Sequence, residues 1–444
     1  MKQFILLFIC ISISYNTVAQ QSTLLEGYIQ EGIAGNHILK QQGFQVQKAV
    51  YALAEAKALF KPTVGFNATY STAQGGRALS FPVGDLLNPV YSTLNQLTRS
   101  SAFPQIENVN EQLVPKNFLD YRLKTQMPII NAEIRYNYEI KKQMISLQQI
   151  EIQVFKKELT KDIKLAYFNF LKASQALGIY ENGIKILQES ERVNKTLIAN
   201  GMANPTVLMR SQNEISRIMD EKLAAENTRK NAAAYFNFLL NKDFQASIAI
   251  DSILIGQEVP VFVGSGHGHR EELDKLAAAQ QINQTILKLN QSYKKPKLGG
   301  ILDLGSQGTA TTFNTKNFFA LLGLSLDVPI YAGGRNLQKI KQTEMEIASL
   351  GEQTKQVEEQ LLLQNTLAQN SLNAARAIAQ SKAGQVATGQ RYYRDLLKRY
   401  KEGQANFIEL LDAQTQLTNA QLQQSVARFD VWLRYVELER TLNN

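Results

Sequence analysis

The chain has one cysteine, Cys10, and it lies in an N-terminal apolar stretch. A chain that loses that stretch carries no thiol, which excludes disulfides, cysteine-ligated metal and thiol catalysis together. Histidine is scarce as well, at three residues, with His37 alone on a helical stretch and no Ser/His/Asp arrangement in view. An enzyme is therefore not expected. Beyond the N-terminus no apolar run approaches the roughly 20 residues of a membrane-spanning helix, so any entry into a membrane has to be made by strands. Nor is there a concentrated basic stripe. The formal net charge of +9 is scattered along helical stretches beside Glu and Asp, which reads as a solvated surface and gives no nucleic-acid site.

What is present begins with a secretory signal peptide at 1–19. Lys2 precedes an apolar core from Phe4 to Ile13, and Ala19 stands before Gln20 and Gln21. Bulky Phe8 and Ile9 before Cys10 count against lipid attachment there. Helical apolar spacing follows over 20–60. Then Val64, Phe66, Ala68 and Tyr70 alternate with Thr63, Gly65, Asn67 and Thr69, the period of a strand with one apolar face. A segment from Ala73 to Asn117, too rich in turn formers to be one element, separates this strand from a second one at Leu119, Tyr121, Leu123, Thr125, Met127 and Ile129.

The order then repeats. Strand alternation returns at Leu298, Gly300, Leu302 and Leu304, and again at Phe318, Ala320, Leu322, Leu324, Leu326 and Val328. Met127-Pro128-Ile129 and Val328-Pro329-Ile330 end the two return strands alike. After the first and the second strand pair come 132–200 and 335–400, nearly free of proline, each about 100 Å long if continuously helical. In the last helix Leu410, Leu417, Val431 and Leu438 fall at multiples of seven, with Ala413, Ala420 and Ala427 completing a coiled-coil seam.

Each long helical stretch turns at a similar tip. Gly201, Ala203 and Asn204 recur as Gly403, Ala405 and Asn406. Glycine ends a helix in the left-handed conformation without steric cost, so Gly201 and Gly403 read as C-terminal caps. Asn204 and Asn406 read as N-caps of the returning helices, with Pro205 at the first helical position. The expected organisation is 20–60 helical, 61–131 first strand hairpin, 132–263 first helical hairpin, 264–270 linker, 271–294 helical, 295–331 second strand hairpin and 332–444 second helical hairpin. Gly264-Ser265-Gly266-His267-Gly268-His269 lacks both the Lys-Ser/Thr of a nucleotide loop and a third metal ligand, and reads as a flexible linker. Four strands of this kind fit either a small soluble sheet or part of a membrane barrel, which four strands alone cannot close.

This order of elements, with Leu324 to Arg335 at a strand-to-helix junction and Tyr400 to Gln414 at a tip, resembles the TolC family of outer membrane efflux and secretion channels. The resemblance implies a mixed α and β membrane protein. Three protomers would each give four strands to a 12-stranded outer membrane β-barrel, and their coiled-coil helices would form a periplasmic α-barrel. It implies a homotrimer in outer membrane lipid that meets a periplasmic adaptor and an inner membrane pump, with no cofactor and no catalysis. The family's acidic constriction falls here on Glu409 and Asp412, and its tip tyrosine on Tyr400. Gly201, Gly403, Asn204 and Asn406 become the adaptor-contacting tips. Asn406-Phe407-Ile408-Glu409 is also a capping-box pattern. Two family positions depart, with Ala405 where a basic residue can stand and Val207 where a gating Asp can. A soluble periplasmic coiled-coil adaptor or scaffold is the alternative.

Overall fold

The computed structural model describes residues 23–114, 117–260, 270–309 and 315–442. The expected signal peptide with Cys10, and the linker apart from Arg270, lie outside them. The elements are α1 (Thr23–Gly35), α2 (His37–Ala58), β1 (Thr63–Ser71), β2 (Ala78–Phe81), α3 (Val83–Thr98), β3 (Val109–Gln112), β4 (Phe118–Ile130), α4 (Ala132–Ala199) and α5 (Thr206–Leu239). They continue with α6 (Ser252–Gly256), α7 (Glu271–Gln291), β5 (Lys297–Thr309), β6 (Phe318–Asp327), α8 (Arg335–Lys401) and α9 (Phe407–Leu442). The N-terminal helical stretch is two helices because Asn36 interrupts it. Its side chain accepts the amides of Ile38 and Leu39 and so caps α2.

The chain divides into two compact units, one of residues 50–142 and 283–345 and one comprising the rest. In the first, β1, β4, β5 and β6 form an antiparallel sheet in the order β1-β4-β5-β6. The register shows what the alternation achieves. Phe66 lies opposite Leu123, Leu123 opposite Leu304, and Leu304 opposite Ala320, so the apolar positions of all four strands share one face. That face is bare, with Leu322 84% exposed. The other face gathers Asp120, Arg122 and Asp303, and Gln307 donates to Asp120. Arg122 also lies over the Phe319 ring. A register shift between Pro128 and Ile130 falls where proline cannot donate to the ladder. The segment between β1 and β4 is more ordered than its turn-rich sequence suggests, since it holds helix α3 and the two-stranded ribbon β2–β3.

The second unit holds α5, α9 and all but the first turns of α4 and α8, as two long helical hairpins. Ile163, Tyr167, Phe168 and Leu171 of α4 join Phe236 of α5 and Phe429, Trp432 and Val436 of α9 in one core. Phe168 stacks on Trp432 with ring centroids 5.0 Å apart. Of the seam residues, Leu410, Ala413, Leu417, Ala427, Val431 and Leu438 are buried, as the seven-residue spacing predicts, and Ala420 is half-buried. Among the described residues no helix is long and apolar enough to cross a membrane.

Glu272 closes one end of this unit by bonding both Arg270 and Arg440, while Arg270 also donates to the Thr441 carbonyl at 3.0 Å. Burial alone would raise the Glu272 carboxyl. The hydrogen bonds from Arg270 and its own amide, with the charges of Arg440 and Arg270, outweigh that and bring it down to about 2. A carboxyl whose folded pKa is depressed stabilises the fold above its unfolded value and loses that contribution as pH falls through the folded one. Acid is therefore expected to remove on the order of 2–3 kcal/mol between about pH 4.3 and 2. Unfolding curves at pH 7 and pH 3 check this: Glu272→Gln should lower stability at pH 7 and flatten the fall towards pH 3.

Candidate functional site: the paired helical tips

The two tips are built alike. Gly201 and Gly403 adopt φ +71° and +75°. Gly201 N–H donates to Ile198 C=O and Met202 N–H to Leu197 C=O, while Gly403 N–H donates to Tyr400 C=O and Gln404 N–H to Arg399 C=O. This pair of bonds, one spanning three residues and one spanning five, satisfies carbonyls that the helix end leaves open. A β-carbon at either glycine would meet nothing within 4 Å. The glycines are set by backbone conformation, and the space around them is free.

The caps follow the expected chemistry. Asn204 accepts the Thr206 amide at 3.0 Å, and Pro205 has helical angles of φ −51° and ψ −26°. Asn406 accepts the Glu409 amide at 3.0 Å and donates through Nδ2 to the Glu409 carboxylate at 3.0 Å. Glu409 thus takes part in a capping exchange, made with the Asn406 side chain and not with its backbone amide. Asp412 is exposed on the next turn and accepts from Gln416 at 2.7 Å. The two carboxylates occupy adjacent turns of α9 and both reach solvent.

Tyr400 is placed differently. It is buried, packed with Leu396, Phe407, Leu410 and Ala413, and its ring centroid lies 5.9 Å from that of Phe407. Its hydroxyl donates to Oδ1 of fully buried Asn194, whose Nδ2 donates to Ser211 Oγ at 2.8 Å. Ser211 in turn donates to the Val207 carbonyl at 3.1 Å. Burial pushes the Tyr400 phenol up from its usual range, so it stays a donor near neutrality. This relay ties α8 of the second hairpin to α4 and α5 of the first. Val207 and Ala405, the two positions that depart from the family pattern, pack half-buried against the same apolar cluster. Asn194 and Ser211 escaped the sequence reading. Their only signal is a polar residue recurring on an apolar helical stripe, in Leu187, Ser190, Asn194, Leu197 and in Val207, Ser211, Ile215, Ile218.

A sheet with one bare apolar face, carried on the same chain as two long helical hairpins, is the protomer fold of outer membrane channels. Solved structures share it. The chain aligns with CusC at a TM-score of 0.75 and 14% identity, covering 94% of this chain and 92% of that one. It aligns with the MtrE outer membrane channel of Neisseria gonorrhoeae at a TM-score of 0.74 and 14% identity, covering 95% and 89%. In sequence the chain is 20% identical to outer membrane protein TolC of Escherichia coli strain K12 over 464 aligned residues, spanning 100% of this chain and 86% of that protein. Outer membrane efflux protein BepC of Brucella suis biovar 1 is 27% identical over 112 residues, 25% of each. A family model described as "Outer membrane efflux protein" matches residues 267–444. Over residues 267–444 the chain thus matches the outer membrane efflux family, and along its whole length it is similar to TolC-like channels of the outer membrane.

Proposed function

We propose that the chain is the protomer of a homotrimeric exit duct across the outer membrane and periplasm, serving efflux or type I secretion. One observation carries this reading: a four-stranded sheet with a bare apolar face and two edges, β1 and β6, that no described strand pairs. In lipid an unpaired edge leaves backbone N–H and C=O groups without partners, so further copies must supply the missing strands. Three copies give a closed barrel of twelve. The helical hairpins of the same copies line a periplasmic tunnel, and the ranges expected from the sequence, from 20–60 to 332–444, are the working division of the chain.

The tips carry the regulated end of the duct. Glu409 and Asp412 from three copies put six carboxylates around a narrow entrance, which favours cations and binds divalent ions. The capping exchange with Asn406 engages one carboxyl oxygen of Glu409 and leaves the other to share, and Asp412 has no capping duty. Tyr400 acts from behind the entrance, through the buried bond to Asn194. Gly201 and Gly403, with Asn204 and Asn406 beside them, offer open backbone for a periplasmic adaptor that couples the duct to an inner membrane pump. Light scattering of the detergent-purified mature protein tests the assembly. A protein mass of three chains is expected; a monomer that stays soluble without detergent would instead favour a periplasmic scaffold.

A further inference from the structure

The segment between β1 and β4 contains a helix, α3, with one side bound to its own chain and an apolar stripe left bare on the other. The side of α3 turned to its own chain is held by asparagine bonds to the backbone, beside the Tyr91 ring packed on Phe103 with centroids 5.8 Å apart. Asn88 exchanges two hydrogen bonds of 2.9 Å with the backbone of Ile106, and Asn95 bonds the backbone of Phe103 at 2.8 and 3.1 Å. Asn108 caps the helix start by accepting the amides of Gly84 and Asp85. The opposite side is apolar and bare: Leu86, Val90 and Leu97 form one stripe and are 69%, 51% and 77% exposed. A surface loop that needed only solubility would carry polar residues on its open side. An exposed apolar stripe on a module already held together by its own hydrogen bonds marks an interaction surface.

Two observations point to what covers it. The first is continuity with the edge at which copies meet. The segment leaves the sheet at Ser71, the last residue of edge strand β1, and only residues 72–77 separate it from β2. Those six residues reach at most about 20 Å. Ser71 lies opposite Phe118, and Phe118 opposite Thr309, so β1 ends where β5 ends and β6 begins. When β1 pairs antiparallel with the next copy's β6, that copy's strand start arrives at the root of this segment. The second is charge. Asp85 is the lone charged residue in the 16 residues of α3. A helix lying on a membrane surface carries Lys and Arg on its polar face, and here that face has neither, its one charge being Asp85, while Asn88 and Asn95 are committed to their own chain's backbone.

We propose that the Leu86, Val90 and Leu97 stripe is covered by a neighbouring copy of the chain, making this segment a clasp between subunits at the rim of the barrel. The proposal rests on the trimeric reading above. Removing Cys10 leaves a chain in which a single introduced cysteine is unique, and Val90→Cys and Leu97→Cys place it on the stripe. Each variant, purified and reconstituted in lipid nanodiscs with its mass measured, is treated with a charged maleimide and with an apolar, lipid-partitioning one. Reaction with both is expected to be at least about tenfold slower than in the unfolded chain, as for a side chain reached only through local opening. Reaction with the apolar reagent alone would assign the stripe to lipid. Reaction with both at the unfolded rate, in a sample of trimer mass, would leave it uncovered. Either result overturns the clasp and keeps the trimer, whereas a mass of one chain removes both. Leu97→Cys decides the matter if Val90→Cys does not fold.

Discussion

Leu322→Arg is expected to abolish stable assembly in the outer membrane, while Thr69→Arg leaves it intact. Leu322 lies in the middle of β6, on the face shared by Phe66, Leu123 and Leu304, and is 84% exposed in the single chain. An arginine on the lipid face near the bilayer midplane costs about 2–4 kcal/mol, so three copies lose roughly 6–12 kcal/mol per barrel. That is comparable to the whole stability of an ordinary domain. Thr69 belongs to the opposite face and sits across from Asp120, where a new cation gains a partner. The amount of trimer in the outer membrane fraction, read on unheated gels, separates the two faces. Wild-type levels of Leu322→Arg trimer would mean that this face does not meet lipid.

The second large effect concerns the buried relay at the tips. Tyr400→Phe leaves Asn194 Oδ1 without a donor in a fully buried position, and Asn194→Leu leaves the Tyr400 hydroxyl without an acceptor. Each single change is expected to cost about 1–3 kcal/mol, because a buried polar group then stays desolvated and unpaired. Ser211 keeps its bond to Val207 in either case. The double variant removes both partners and should be milder than the sum of the singles, a coupling of about 1 kcal/mol or more. Amide hydrogen exchange around 194–211 and 396–413 reads this as local opening about tenfold faster or more in the singles. Additive losses would mean that the two side chains do not act as one lock between the hairpins.

Much of this architecture is written in short-range chemistry. The four sheet strands follow from a period of two, and the tip caps from glycine, asparagine and proline at fixed offsets. The seam of α9 follows from a seven-residue spacing. What depends on distant partners is not legible in the same way. Tyr400 and Asn194 are 206 residues apart in sequence, and nothing local to either one announces the bond. Helix α3 was hidden because Pro89 lies inside it and because its inward face mixes Asn88 and Asn95 with Tyr91 while Leu86, Val90 and Leu97 are exposed, so apolar spacing alone does not mark its buried side. The capping box at Asn406 and Glu409 shows how one motif can hold two readings at once, since the same carboxylate that caps α9 remains exposed at the tip.

The most direct test of the central claim is single-channel conductance of the purified mature protein in a planar bilayer, with divalent cations added and Glu409→Ala/Asp412→Ala measured alongside. A trimeric duct with an acidic entrance predicts stable, cation-selective conductance that divalent ions block, and a block that disappears in the double variant. Conductance that keeps its selectivity and its divalent block without these carboxylates would place the constriction elsewhere. Absence of conductance from a folded sample that is soluble without detergent would contradict the channel itself.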